Sequence, residues 1–375
     1  MTDDTRLRVL WLIKGLAAGG SERLLVEHAI AGDRDRFDYE VAYLLADKRH
    51  LVGDLEELGV PTHCLGVQTE ADPRWLWRLG RLLHTRKFDV VHAHSPVSAS
   101  IARVVIRSSF PSTGFVYTEH NRWPSYHPIT RTMNRLTYPL NNAVLAVSGD
   151  VVQSMNWSAR RRAEVLTHGI DLDRVRANHA KRDAVRAELG VGPDEVLVIT
   201  VANLRVNKRY PDLLAAARWV LDTGAPVRFA AAGQGPLEAE VRAEHARLGL
   251  GDRFTLLGYR SDAQRLIAGA DLFALASSHE GLPVAVMEAF ALGVPVVSTA
   301  AGGMNQAVHD GVNGLLVPPR DPNALADALV RALDPALRAR LSAGAAASGE
   351  RYSAKYSVAR IEEIYREVSA DRRRR

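Results

Sequence analysis

The chain has 375 residues, long for one hydrophobic core and comfortable as two domains, and its 47% hydrophobic and 24% charged residues exclude a disordered chain. A formal charge of +5 suits an anionic ligand or surface, but the basic residues cluster only briefly, at Arg160–Arg162 and Arg372–Arg375, so no nucleic-acid partner is expected. One cysteine, Cys64, excludes an internal disulfide framework, and the polar start MTDDTRLR does not resemble a signal peptide, which together predict a cytoplasmic protein.

A first strand over 8–13 leads into GLAAGGSERLLVEHAI, where Gly15, Gly19 and Gly20 precede a helix with Ser21 as its expected cap. Such a turn either lets backbone approach a phosphate or sugar closely or is only a tight turn. It lacks the GKS or GKT of a Walker loop and the spacing of the dinucleotide fingerprint. Strands then alternate with helical patterns, 39–45 with 51–58, 62–65 with 75–84 and 89–92 with 97–106, which predicts βαβ units and a parallel sheet.

VVHAHSP places His92 and His94 on one side of a strand end. Either they form a metal pair, with no third ligand at metal-site spacing, or one of them hydrogen-bonds in the crevice where open α/β sheets bind ligands. His120 follows the strand 115–118 in a loop with Glu119, Asn121, Arg122 and Trp123, and is either structural or part of a site. Trp123, Tyr126, His127, Arg131 and Arg135 could line an acceptor or dock on lipid headgroups. Strands at 143–148 and 164–166 close this half.

Asp171-Leu-Asp173 has the form of a DxD metal motif, but it follows THGI and precedes the polar stretch 174–194, broken by Gly190, Gly192 and Pro193, where a hinge is expected. The second half restarts with a strand, a basic loop and a helix. Arg205 and Lys208 lie three apart at that strand's C-terminal edge; they either meet a diphosphate, as a fork and a point charge, or form a solvated basic turn.

The stretch 271–303, DLFALASSHEGLPVAVMEAFALGVPVVSTAAGG, reads as strand, loop, helix, strand, loop. Pro283 suits the first helical position, and the free amides near Glu280-Gly281-Leu282 favour an anion. Along a continuous helix Glu280 and Glu288 would be about 12 Å apart, so they would grip two ends of a long ligand. Alternatively Glu280 caps the helix and Glu288 is a surface charge; set among Val286, Met287, Ala289 and Phe290, however, a carboxylate needs a partner. The glutamate, prolines and glycines argue against a membrane span here.

SSHEGLPVAVMEAFALGVPVV resembles the glutamate-x7-glutamate signature of the retaining glycosyltransferase family 4, and the likeness extends over nearly the whole chain. It implies an α/β GT-B fold, two Rossmann-like domains with parallel sheets facing a central cleft. The expected parts are an acceptor-side domain over 1–173, a linker over 174–194, a nucleotide-sugar domain over 195–353, and a C-terminal helix with a basic tail over 354–375 that crosses back to the first domain. Val358, Ile361, Tyr365 and Val368 form one stripe on that helix.

The resemblance further implies retaining transfer of a sugar from a nucleotide-diphosphate donor, UDP ahead of GDP, to a hydroxyl of a sugar, glycolipid or other glycoconjugate acceptor. It implies no metal and no cofactor beyond the nucleotide-sugar co-substrate, and a location in the cytoplasm or peripherally at the inner face of the membrane. Gly19 and Gly20, in a segment similar to the family's GG-x-E, would close over the phosphates, and His120 would sit near the anomeric carbon. Arg205 and Lys208 would hold the pyrophosphate, assisted by the helix start at Gly281 and Leu282. Glu280 would take the sugar hydroxyls, Glu288 the ribose, and Tyr259 and Arg260 would frame the base largely through backbone. The chain departs from the family at Asn203, where the Arg of G-R-L is usual, so Arg205 is expected to supply the guanidinium. It departs also at His168, which replaces the usual Asn of N-G-I-D, and at Gln234, where an acidic residue is frequent. A GT-B nucleotide-sugar epimerase and a non-catalytic sugar- or membrane-binding module are the rival readings.

Overall fold

Strands covered by helices on both faces must be apolar on both sides, and the first strand shows it residue by residue. In the computed structural model, which describes residues 6–17 and 19–373, β1 (Leu7–Ile13) sends Leu10 and Leu12 into one core with Leu79, Ile106 and Phe115. Val9, Trp11 and Ile13 enter a second core, with Leu25, Ile361 and Tyr365. The period of two thus sorts one strand between two cores.

The chain divides into two compact units, Met1–Gly169 with Ala354–Arg375, and Ile170–Ser353. In the first, β1 joins β2 (Phe37–Leu45), β3 (Thr62–Val67), β4 (Val90–Ala93), β5 (Gly114–Glu119), β6 (Ala143–Ala146) and β7 (Ala163–Val165) in a parallel sheet of order β3-β2-β1-β4-β5-β6-β7. The helix Ala354–Arg373 lies on this unit: Ile361 and Tyr365 are fully buried, Val358 and Val368 nearly so, and the Arg360 guanidinium clasps Glu164 at 2.8 and 2.9 Å. The apolar stripe on this helix therefore belongs to the first unit's core.

The second unit carries β8 (Val196–Val201), β9 (Val227–Ala232), β10 (Phe254–Gly258), β11 (Leu272–Leu275), β12 (Val296–Thr299) and β13 (Gly314–Val317), again parallel, in the order β10-β9-β8-β11-β12-β13. Both units are doubly wound α/β sheets, two Rossmann-like halves as the resemblance implies.

Residues 174–194, read from sequence as a linker, are largely helical and fold into the second unit. Asp171 caps the helix Leu172–Arg176 by accepting from the Arg174 amide at 3.1 Å, so the DLD tripeptide is a helix start. Arg182 and Arg186 in the following helix pair with Asp271 at 2.5 and 2.7 Å. Burial opposes ionisation of Asp271, yet the Leu197 amide and these two guanidiniums hold its carboxyl below the usual range. Part of the polar composition of this stretch, Arg182 and Arg186, is thus spent on ion pairs to Asp271 at the edge of β11, while residues such as Lys181, Asp183 and Glu188 remain exposed.

Candidate active site

In the second unit the chain moves outward from β8 through β9 to β10, then returns to β11 on the other side of β8. The strands β8 and β11 therefore flank the switch point, where open α/β sheets bind ligands at the carboxyl ends of their strands. Lys208 follows β8, in the short helical turn Val206–Lys208, and Glu280 follows β11. Their side chains meet: the Lys208 ammonium donates to Glu280 Oε1, with 16% and 9% of each side chain exposed. The fully buried Ser277 hydroxyl donates to the same oxygen at 2.5 Å.

The two loops are laced together through backbone. The Ser278 amide donates to Asn207 O at 2.8 Å, and the Asn207 amide group donates back to His279 O at 3.3 Å. Gly303 donates to Glu280 O at 3.1 Å, and a Cβ there would stand 1.7 Å from Gly281 O. Only glycine permits that approach, so the loop carrying Glu280 is pinned from β12's side as well.

The other expected contacts fall as follows. The Arg205 guanidinium is exposed and makes no ion pair or hydrogen bond among the described residues. Glu288 lies in the helix Val284–Ala291, buried on every side, and Gln264 donates to it at 2.8 Å. Glu280 and Glu288 therefore answer to different elements. Pro283 precedes the helix with ψ of 133°, at the cap and not at the first helical position, which Val284 takes. Gly281 and Leu282 lie just ahead, beside first-turn amides that have no helical acceptor.

Tyr259 is exposed after β10. Arg260 is not a free cation: Asp262 receives two of its donors at 2.7 and 2.8 Å and Glu188 a third at 2.7 Å. These hydrogen bonds drive the Asp262 carboxyl well below its ordinary range. The Arg260 side chain is therefore committed within the protein, and this turn is left its backbone and the exposed Tyr259 ring.

In the first unit Gly19 caps the helix Gly20–Ala31, and Gly20 is its first residue. Ser21 sits inside the helix, its hydroxyl turned to Glu22 at 2.7 Å, so the expected serine cap gives way to a glycine one.

Glu119, ending β5, is completely buried and accepts from Tyr117 (2.9 Å), Trp123 (2.8 Å), Asn134 (3.1 Å) and the Tyr126 hydroxyl. Burial raises its carboxyl above the usual range against the pull of those donors. The Trp123 indole N–H and the Tyr126 hydroxyl are thus committed to an internal carboxylate. Of the residues grouped with them, His127, Arg131 and Arg135 are exposed.

His120 follows Glu119, half-buried, with Nε2 3.2 Å from His94 Nδ1 and its ring stacked on His168. His92 points into the core, bonded to Tyr365 and Thr118 at 2.6 and 2.7 Å. Among the described residues no group of three or more His, Cys, Asp or Glu is arranged to hold a metal ion.

Two family models match, one described as Glycosyltransferase Family 4 over residues 18–174 and one as Glycosyl transferases group 1 over residues 195–335. The D-inositol 3-phosphate glycosyltransferase of Xylanimonas cellulosilytica is 33% identical over 326 residues, 76% of this chain and 73% of that protein. The chain belongs to glycosyltransferase family 4.

Another relative of this family 4 protein is the UDP-Gal:alpha-D-GlcNAc-diphosphoundecaprenol alpha-1,3-galactosyltransferase of Escherichia coli, 25% identical over 73% of this chain and 74% of its own. The fold agrees with that of Anabaena HepE, whose crystal structure in complex with UDP-glucose superposes with a TM-score of 0.84 at 22% identity, covering 96% of this chain and all of the other. The family 4 chain is accordingly a GT-B glycosyltransferase that uses a nucleotide sugar. Among its described residues no helix is long and apolar enough to cross a membrane.

Sequence reasoning passed over Ser277 and Asn207, which hold Glu280 and its loop, and Gln264, which answers Glu288. Ser277, three residues before Glu280 in SSHE, carried a signal in its spacing. Gln264 carried none, because its partner is supplied by the packing of two helices.

Proposed function

We propose that this glycosyltransferase moves a hexose or related sugar from a UDP-sugar to a hydroxyl of a glycolipid or other glycoconjugate acceptor, with retention of configuration and without a metal ion. The observation that carries the reading is the Lys208–Glu280 pair at the switch point. In a nucleotide sugar one glycosidic oxygen joins the sugar ring to the β-phosphate. A cation for the phosphate and a carboxylate for the ring hydroxyls must therefore be neighbours, as these two are.

When the donor binds, Lys208 turns from Glu280 to the diphosphate, and Arg205 adds a guanidinium from the same loop. Both stabilise the charge that builds on the leaving UDP, an electrostatic term of the kind that often dominates such reactions. Glu280, held by Ser277, accepts from the sugar hydroxyls. Glu288 takes the ribose and exchanges its bond with Gln264. The amides beyond Gly281 and Leu282 favour the negative phosphate. His120, with the glycine turn at Gly19 and Gly20, completes the substrate contacts. With the leaving phosphate taking the acceptor proton, no side chain need act as base.

UDP is favoured because structural neighbours hold UDP and UDP-glucose and the Escherichia coli relative is named for UDP-Gal; a lipid-linked acceptor is favoured by the same relative's name. Calorimetric titration with UDP-, GDP- and ADP-sugars tests the reading, with Lys208→Ala as control. The expected result is binding of a UDP-sugar that collapses in the variant. Binding of that sugar unchanged in Lys208→Ala would refute the assignment of the diphosphate site. Release of free UDP only when acceptor is present distinguishes transfer from epimerisation.

A further inference from the structure

Four imidazoles of the first unit lie in one file. His92 packs on His94 with ring centroids 4.2 Å apart, His94 Nδ1 reaches His120 Nε2 at 3.2 Å, and the His120 ring lies 16° from parallel to His168 at 5.8 Å. Burial keeps the last three uncharged. It carries His120 down to about 3, with His168 nearby adding to the effect, and His168 to about 4, and it holds His94 well below its ordinary value, helped by His92 and His120.

A neutral imidazole has one N–H and one bare nitrogen. His94 Nε2 is buried and has no hydrogen-bond partner. A proton placed there would be a stranded buried donor. Placed on Nδ1, the proton makes the bond to His120, and only a lone pair is left unmet. Orphaned buried N–H groups are the rarer case in folded proteins. The proton of His94 therefore belongs on Nδ1, His120 Nε2 accepts it, and the proton of His120 belongs on its own Nδ1.

We propose that His94 is a positioning residue for sugar transfer, one that holds His120 in the Nδ1–H tautomer so that His120 offers a substrate oxygen a hydrogen-bond donor and not a base. The proposal rests on the reading of His120 as a substrate contact given above. His168 serves the same end from the opposite side. Its flat contact blocks the ring flip that would exchange the two nitrogens of His120, which the amide of the family's usual Asn would do less well. The neutral, donor-presenting His120 also agrees with chemistry in which the leaving phosphate takes the acceptor proton.

The test is nitrogen-15 NMR of the histidine-labelled full chain at neutral pH, with the His120 signals identified by their loss in His120→Asn. Expected are a protonated Nδ1 and a bare Nε2 on His120. In His94→Leu, which keeps volume and removes the donor, the proton moves toward Nε2, and kcat falls about 10–100-fold, the usual cost of losing an orienting partner, with the donor KM unchanged. His94→Asn, whose side-chain amide can take the place of Nδ1–H, restores both tautomer and rate. A wild-type His120 protonated on Nε2 overturns the proposal, as does a His94→Leu spectrum in which His120 keeps its Nδ1 proton. The spectrum needs no substrate: the expected tautomer in a protein that transfers no sugar would refute the functional reading and leave the tautomer assignment standing.

Discussion

Tyr365 on the terminal helix and His92 in β4, 273 positions apart, share a hydrogen bond of 2.6 Å. The Trp11 indole, which can only donate, gives its proton to the same hydroxyl at 3.2 Å. The proton of Tyr365 therefore points at His92 Nδ1, and His92 donates from Nε2 to Thr118 at 2.7 Å. One polar chain thus runs from the terminal helix through β1 and β4 to β5, beside a second buried network in which the Tyr39 hydroxyl donates to Glu362.

Tyr365→Phe removes a single atom from that chain and strands two buried groups, Trp11 Nε1–H and His92 Nδ1. Each stranded group costs roughly 1–3 kcal/mol. The expected outcome is a lower urea midpoint at unchanged slope, followed by tryptophan fluorescence, which reports chiefly on the first unit because Trp219 is the only tryptophan outside it. An unmoved midpoint would show the chain to be incidental to stability.

Glu280→Ala separates the two ends of the donor. Its partners Lys208 and Ser277 remain, so the affinity for UDP alone should stay within reach of wild type, while kcat for sugar transfer falls about 10²–10³-fold, as when an oriented polar contact to the reacting group is lost. Equal losses in UDP affinity and in kcat would place Glu280 on the nucleotide and contradict its assignment to the sugar.

Gly303→Ala tests the close approach behind the glutamate loop. The new methyl would need the space of Gly281 O, 1.7 Å away, and both partners are backbone, so no side chain can yield. Overpacking of this kind costs about 1–3 kcal/mol. Thermal unfolding should shift down, and donor affinity should weaken with it; a variant with wild-type melting and binding would show that the loop tolerates displacement.

The buried imidazoles make the first unit sensitive to acid. Burial lowers His168 from 6.5 to about 4, so between those values the unfolded chain binds a proton that the folded chain refuses. Stability rises with pH where the unfolded state binds more protons, so the contribution of this neutral histidine is complete above 6.5 and is lost as pH falls toward 4. His168→Asn abolishes the linkage. Relative to wild type the variant should gain about 1.4 kcal/mol per pH unit on going down through that window. Parallel urea titrations at neutral pH and at pH values inside the window check the slope, and a constant difference would refute the linkage.

Much of the architecture was legible because the periods were unambiguous. The apolar run in 8–13, those before Asp271-to-Gly303 and within it, and the stripe of Val358, Ile361, Tyr365 and Val368 all reflect burial that sequence states directly. The readings that shifted depended on hydrogen-bond partners, some near in the chain and some distant, that only the fold brings into contact. The Arg260 side chain is held by Asp262 and Glu188, in keeping with a turn read as acting through its backbone, and 174–194 looked like a linker because Arg182 and Arg186 answer to the distant Asp271. Trp123 and Tyr126 looked like a binding surface until Glu119 was seen to gather their polar atoms. In each case composition shows that a polar group exists, and only the fold shows what it bonds.

The second unit is inserted into the first. It opens at Ile170 and closes at Ser353, and these two residues bridge each other while the Ile170 amide bonds Tyr352 O at 2.8 Å. During synthesis the sheet of the first unit emerges early, yet one of its two faces waits for a helix translated after the whole of the second unit. The inserted unit is contiguous and can close before that helix leaves the ribosome. The order of completion is therefore inverted relative to the order of translation: the helix Gly20–Ala31 is made early and packs His28 on Trp11 and Tyr39, whereas the Tyr365 hydroxyl that joins Trp11 to His92 arrives last.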